Sequence, residues 1–147
     1  FPQLLEYNCA SQPGKGVDYC LRGLKRHLKE HIENHGVNGY ILIIDQHNYF
    51  ASINQEILLN MIFEHISDED IRYYLNYLMR TKSGVGLGLG SELNQVGAVY
   101  YMHPVDLLIY EHTAKSGRYM DDSYAIGYDL EHATHKKKYI RRKKAYN

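Results

Sequence analysis

At 147 residues, 44% hydrophobic and 23% charged, the chain has the size and make-up of one globular domain with a real core. Seventeen Lys/Arg balance seventeen Asp/Glu, so bulk charge selects no partner. Seven of those cations and two of the acids fall from Tyr128 onward, which makes a basic tail on an acidic body and suits a nucleic-acid contact beside a metal site.

Cys9 and Cys20 allow at most one disulfide, and no signal peptide or membrane-length apolar run is present, so a cytoplasmic protein without membrane contact is expected. The opening, Phe1 to Pro13, has no clear period and no initiating Met, which reads as an excised fragment. Gln12-Pro13-Gly14-Lys15-Gly16 is a turn by its Pro-Gly pair. From Val17 to about His35, apolar Val17, Cys20, Leu21, Leu24, Leu28 and Ile32 mark one face of a helix that Gly36 closes. His27, His31 and His35 repeat at i, i+4, i+8, a spacing that can bind zinc but lacks an acid or cysteine on the same face.

Gly39-Tyr40-Ile41-Leu42-Ile43-Ile44-Asp45 is a continuous apolar run ending in one acid, the pattern of a strand buried on both faces. Ser52 or Asn54 caps the next helix, with Ile57, Leu58, Met61 and Ile62 inward. Ser67-Asp68-Glu69-Asp70 starts another, with Ile71, Tyr74, Leu75 and Leu78 as its core stripe. Glycines at 84, 86, 88 and 90 let backbone approach a ligand closely, or form a flexible surface loop; the Gly-Lys-Ser/Thr ending of a P-loop is absent. A helix from Ser91 carries Val96, Val99 and Tyr100, Pro104 breaks it near His103, and a second short helix holds Leu107, Leu108 and Tyr110.

Gly117 to Ile126 reads as a β-hairpin with Asp121-Asp122 in its turn. Two adjacent carboxylates repel unless a cation lies between them, so the pair is either a solvated turn or two ligands of a divalent metal. If this hairpin lies beside the 39–45 strand, Asp45, Asp121 and Asp122 converge. Three carboxylates then offer the oxygen ligands that Mg2+ prefers. A basic helix over 129–146 completes the chain.

Three of these segments together resemble a known family. Asp45-Gln46-His47-Asn48-Tyr49-Phe50-Ala51-Ser52-Ile53 is similar to the first catalytic motif of reverse transcriptases, and Tyr119-Met120-Asp121-Asp122 to their Tyr-x-Asp-Asp motif. Between them, Gly84 to Gln95 resembles the glycine-rich segment under template and incoming nucleotide. Order and spacing match, and the flavour is bacterial, of the retron, group II intron and defence-related kind.

The resemblance implies an α+β palm, with a small, mostly antiparallel sheet and helices packed on one face. Residues 1–38 would be the fingers–palm junction and 39–147 the palm, with the thumb absent. It implies RNA-directed DNA polymerase activity by two Mg2+ ions, with Mn2+ as a substitute, held by Asp45, Asp121 and Asp122 as catalytic and metal-binding residues. Phe50 matches the steric gate against a 2′-hydroxyl, with plain core packing as its other role. Leu89, Gly90 and Gln95 match nucleotide-facing positions, while Lys15, Tyr119 and Met120 would face nucleic acid. Asn94, Gln46 and His47 depart from the usual pattern. The implied partners are an RNA template, a DNA primer and product, and dNTPs, with no membrane. Lacking full fingers and thumb, this stretch alone is expected to polymerise poorly. Two alternatives stay open: a non-catalytic nucleic-acid-binding or defence module, and untemplated or protein-primed DNA synthesis.

Overall fold

A computed structural model describes residues 3–127 of the chain; the basic helix expected over 129–146 lies outside those residues. In chain order the elements are α1 (Val17–His35), β1 (Tyr40–Ile44), α2 (Tyr49–Ser52), α3 (Gln55–Phe63), α4 (Glu69–Met79), α5 (Glu92–Tyr101), α6 (His103–His112), β2 (Lys115–Tyr119) and β3 (Asp122–Gly127). The class is α+β, with one three-stranded antiparallel sheet in the order β1-β3-β2. Among the described residues no helix is long and apolar enough to cross a membrane. The described residues divide into two compact units, one built on Gln46–His103 and the other on Leu5–Asp45 with residues 104–127.

The helix boundaries follow their sequence signals. Asn54, Asp68 and Ser91 cap α3, α4 and α5, each side chain accepting a bond from a backbone N–H of the first turn. Gly36 closes α1 at φ +73°, its N–H donating to Ile32 O. Pro104 stands in the first turn of α6, where a missing N–H costs no helical bond, and the break from α5 falls at Met102.

In the Gln46–His103 unit, Ile53, Leu58, Leu59, Met79, Leu87, Ala98 and Val99 form the core. Each large apolar side chain among them gains about 1.5–3 kcal/mol from full burial. The stripe expected to bury α4 does not: Ile71, Tyr74 and Leu78 are exposed, and Met79 is the helix's buried residue. Periodicity marks which side of a helix is apolar; it does not say what covers that side. The glycine-rich turn is tied to α2 and α3 by backbone, with Leu87 N donating to Phe50 O and Gly86 N to Ile53 O. Gly86 takes φ +85°, and a Cβ there would lie 3.2 Å from Ala51 O. Gln55, 1% exposed, clamps the turn from beneath, donating to Thr81 Oγ1 and Gly86 O and accepting from Thr81 N.

In the other unit the strand expected to be buried on both faces is an edge. Tyr40, Ile41 and Ile43 are exposed, Ile43 by 66%. The doubly buried strand is the central one, β3, from Ser123 to Ile126. The inner face of α1 also differs from its apolar stripe: Val17, Leu21 and Ile32 are exposed, while Gly23, His27 and His31 are buried. The reason is local fit. Tyr124 Oη lies 3.0 Å from His27 Nδ1, and the Tyr7 ring meets the His27 ring edge-on. A Cβ on Gly23 would lie 2.4 Å from Tyr7, and one on Gly117 would lie 2.6 Å from the Tyr124 ring. The histidine row considered for zinc thus serves packing at His27, while His31 Nε2 lies 2.8 Å from Asn38 O.

Burial, with Lys115 nearby, lowers the pKa of His27, and burial raises that of Tyr124. Both shifts favour the pairing in which a neutral phenol donates to a neutral imidazole. Because His27 protonates more readily in the unfolded chain, whose value is about 6.5, its stabilising contribution is complete above that pH and is lost as pH falls below it. The urea midpoint should therefore drop between pH 7.5 and 5.5, and His27→Gln should flatten that drop. An unchanged slope in the variant would show that His27 does not carry it.

Candidate active site

The β2–β3 register pairs Tyr119 with Asp122, leaving Met120 and Asp121 as a two-residue loop. The turn is thus shifted by one residue from the expected Asp121-Asp122 centre, and Asp122 opens β3 instead. Two-residue hairpin loops need a positive φ at their first position to match strand twist. Met120 supplies it, at φ +52°. For a residue with a side chain this region costs on the order of 1–2 kcal/mol, so something must hold it.

Arg118 holds it. Its Nη1 donates to Met120 O at 2.7 Å, while Nε and Nη2 fork onto Asp106 Oδ1 and Oδ2, each at 2.7 Å. Arg118 and Asp106 are 2% and 7% exposed, and Asn8 Nδ2 adds a bond to Asp106 Oδ2 at 3.1 Å. Such a two-pronged fork fixes both planes in a way a point charge cannot. Closure of the hairpin at 119/122 turns the Arg118 N–H and C=O away from β3. Tyr7 O and Cys9 N take them, each at 2.8 Å, which seats residues 7–9 parallel to β2 and delivers Asn8 to Asp106. The same cluster lines a cavity of about 540 Å3, where Asn8 Oδ1 and Ser123 Oγ are buried with no hydrogen-bond partner among the described residues.

On the other side of β3, Ile44 pairs with Ser123. That pair is the last of the register, so Asp45 follows β1 at the end of the sheet where Asp122 opens β3 and Asp121 lies in the loop. The backbone thus gathers the three expected acids at one end of the sheet. Asp45 and Asp122 are exposed and Asp121 is half-buried. Their donor chemistry suits a hard divalent cation. Among the described residues, however, no group of three or more His, Cys, Asp or Glu side chains is close enough to hold one.

Tyr119 ends β2 and Met120 follows it, both half-buried. Lys15 is engaged within the chain: its Nζ donates to Glu6 O at 2.6 Å, Asn8 O at 3.3 Å and Gln12 Oε1 at 3.2 Å. Its position brackets the segment that supports Arg118. The nucleotide-facing candidates belong to the Gln46–His103 unit. There Phe50 is half-buried on α2 and linked through its carbonyl to the glycine-rich turn. Leu89 is 83% exposed, Gly90 takes φ +85°, and Gln95 is half-buried in α5. Asn94 donates to Gly88 O at 2.9 Å and so pins the same turn. Cys9 and Cys20 are both free.

Arg118, Asp106 and Asn8 are what the sequence did not disclose. One signal was available: an Arg inside a strand, one residue before the aromatic that leads into two acids, needs a buried acid to accompany it. Neither a protein-family model nor a curated protein matches the chain.

Removing one partner of a buried pair strands the other, at about 3–5 kcal/mol. Asp106→Ala should cost that much in urea unfolding. The double variant Arg118→Met with Asp106→Leu should cost far less, because both charges leave together. Equal losses in the two would show that the ion pair is not the source of the destabilisation.

Proposed function

We propose that this chain carries the catalytic centre of an RNA-directed DNA polymerase, transferring a nucleotide from a dNTP to a primer 3′-hydroxyl. The observation that supports this reading most is the β1–β3 pairing, whose last pair, Ile44 with Ser123, leaves Asp45 at the end of the sheet where Asp122 opens β3 and Asp121 lies in the loop. Asp45, Asp121 and Asp122 would hold Mg2+, which supplies charge neutralisation at the triphosphate and a lowered pKa for the primer hydroxyl. The chain's own work is positional. Carboxylates just past β1, in the hairpin loop and at the start of β3 would set where the cations lie, and no side-chain nucleophile would be required. In the Gln46–His103 unit, a backbone-tethered glycine turn and the aromatic Phe50 offer a close-approach surface of the type that discriminates a sugar by shape. An RNA template and a DNA primer are the implied partners.

The test is Asp121→Asn in the longer protein that the family resemblance implies, assayed by primer extension on a defined RNA template. Synthesis should fall by at least about 100-fold, as when a group that stabilises transition-state charge is removed, with template–primer binding retained. Extension at the wild-type rate would overturn the assignment. Intact biological activity without synthesis would favour a nucleic-acid-binding module. Product made without template would favour untemplated synthesis.

A further inference from the structure

The geometry points to Arg118 as the positioning residue of the acidic loop, with Asp106 and Asn8 as its mount. This rests on the metal-binding role proposed for Asp45, Asp121 and Asp122. Three observations carry it. The Met120 carbonyl, fixed by Arg118 Nη1 at 2.7 Å, belongs to the peptide that leads into Asp121, so that bond sets the direction in which the acid leaves the loop. Met120 sits at φ +52°, a conformation that a side-chain-bearing residue holds only when its surroundings determine it. The guanidinium itself cannot swing, because its Nε and Nη2 are forked onto a carboxylate that Asn8 also binds. Arg118 reaches no reacting atom; its effect on a bound cation passes through one carbonyl. Lysine cannot replace it, since a single ammonium on a flexible stem does not present this planar fork.

The experiment titrates Mn2+ into the 147-residue chain, followed by its EPR signal, alongside NMR of Met120, whose Cα shift and HN–Hα coupling report a left-handed backbone. Wild type should bind Mn2+ in a way that Asp121→Asn abolishes. The double variant Arg118→Met/Asp106→Leu, checked for folding by circular dichroism, should bind about 10- to 100-fold more weakly, as when an outer partner of a metal ligand is lost. Its Met120 should lose the left-handed signature. Arg118→Lys should show the same two changes to a lesser degree, and it serves if the double variant does not fold. A folded variant that keeps wild-type Mn2+ affinity overturns the positioning role while leaving the metal site standing. Wild type that shows no Asp121-dependent Mn2+ binding overturns the metal site and this role with it.

Discussion

One buried ion pair organises the sheet-bearing unit. Arg118 and Asp106 are almost wholly removed from water, and two charges so placed are tolerable only when their hydrogen-bonding capacity is well used. Here it is used to join separate pieces of chain. Asp106 comes from α6, Arg118 from β2, Asn8 from the segment along the sheet edge, and the Met120 carbonyl from the loop beyond. An apolar cluster of the same volume would fill the space, but it would not fix directions. A forked guanidinium does, and the group whose direction it fixes is the loop that bears the acids.

The Gln46–His103 unit achieves a comparable result with a neutral group. Gln55 is buried under the glycine-rich turn and bonds to Thr81 ahead of it and to Gly86 within it, while Asn94 bonds to Gly88. Backbone bonds from Leu87 and Gly86 complete the attachment. Four glycines in seven positions would be a floppy surface loop if left alone. Two amide side chains make it a shaped one.

How much of this was written in the sequence depends on the kind of signal. Caps and breakers act within a few residues, so Ser91 and Gly36 marked their boundaries, the Ser67–Asp70 run held the cap Asp68, Asn54 proved the cap of the two offered, and the Pro104 break fell one residue early, at Met102. The pairing of the 39–45 run with the 117–126 hairpin was legible only as a condition for the three acids to converge, and Tyr40–Ile44 does pair with β3. Burial was less so. The apolar stripes of α1 and α4 and the Tyr40–Ile44 run all read as core, yet much of each is exposed, since what covers a face is a property of the rest of the fold. The turn centre was off by one residue, because Asp favours turns by propensity while strand pairing put Met120 there instead. The Arg118–Asp106–Asn8 cluster draws on three distant places in the chain, and spacing along the sequence carries no trace of such a meeting.

Gly117 does more than leave room. The Tyr124 ring lies against its Cα, on the strand that begins with Asp122, while its own next neighbour is the arginine that holds the loop. The ring packs over the bare backbone of its cross-strand partner like a shim of fixed thickness, and the ring's hydroxyl anchors that shim to α1. A single methyl group at 117 would thicken it and press on both arms of the hairpin at once. The smallest residue in the strand therefore sets the tolerance to which the acidic end of the sheet is built.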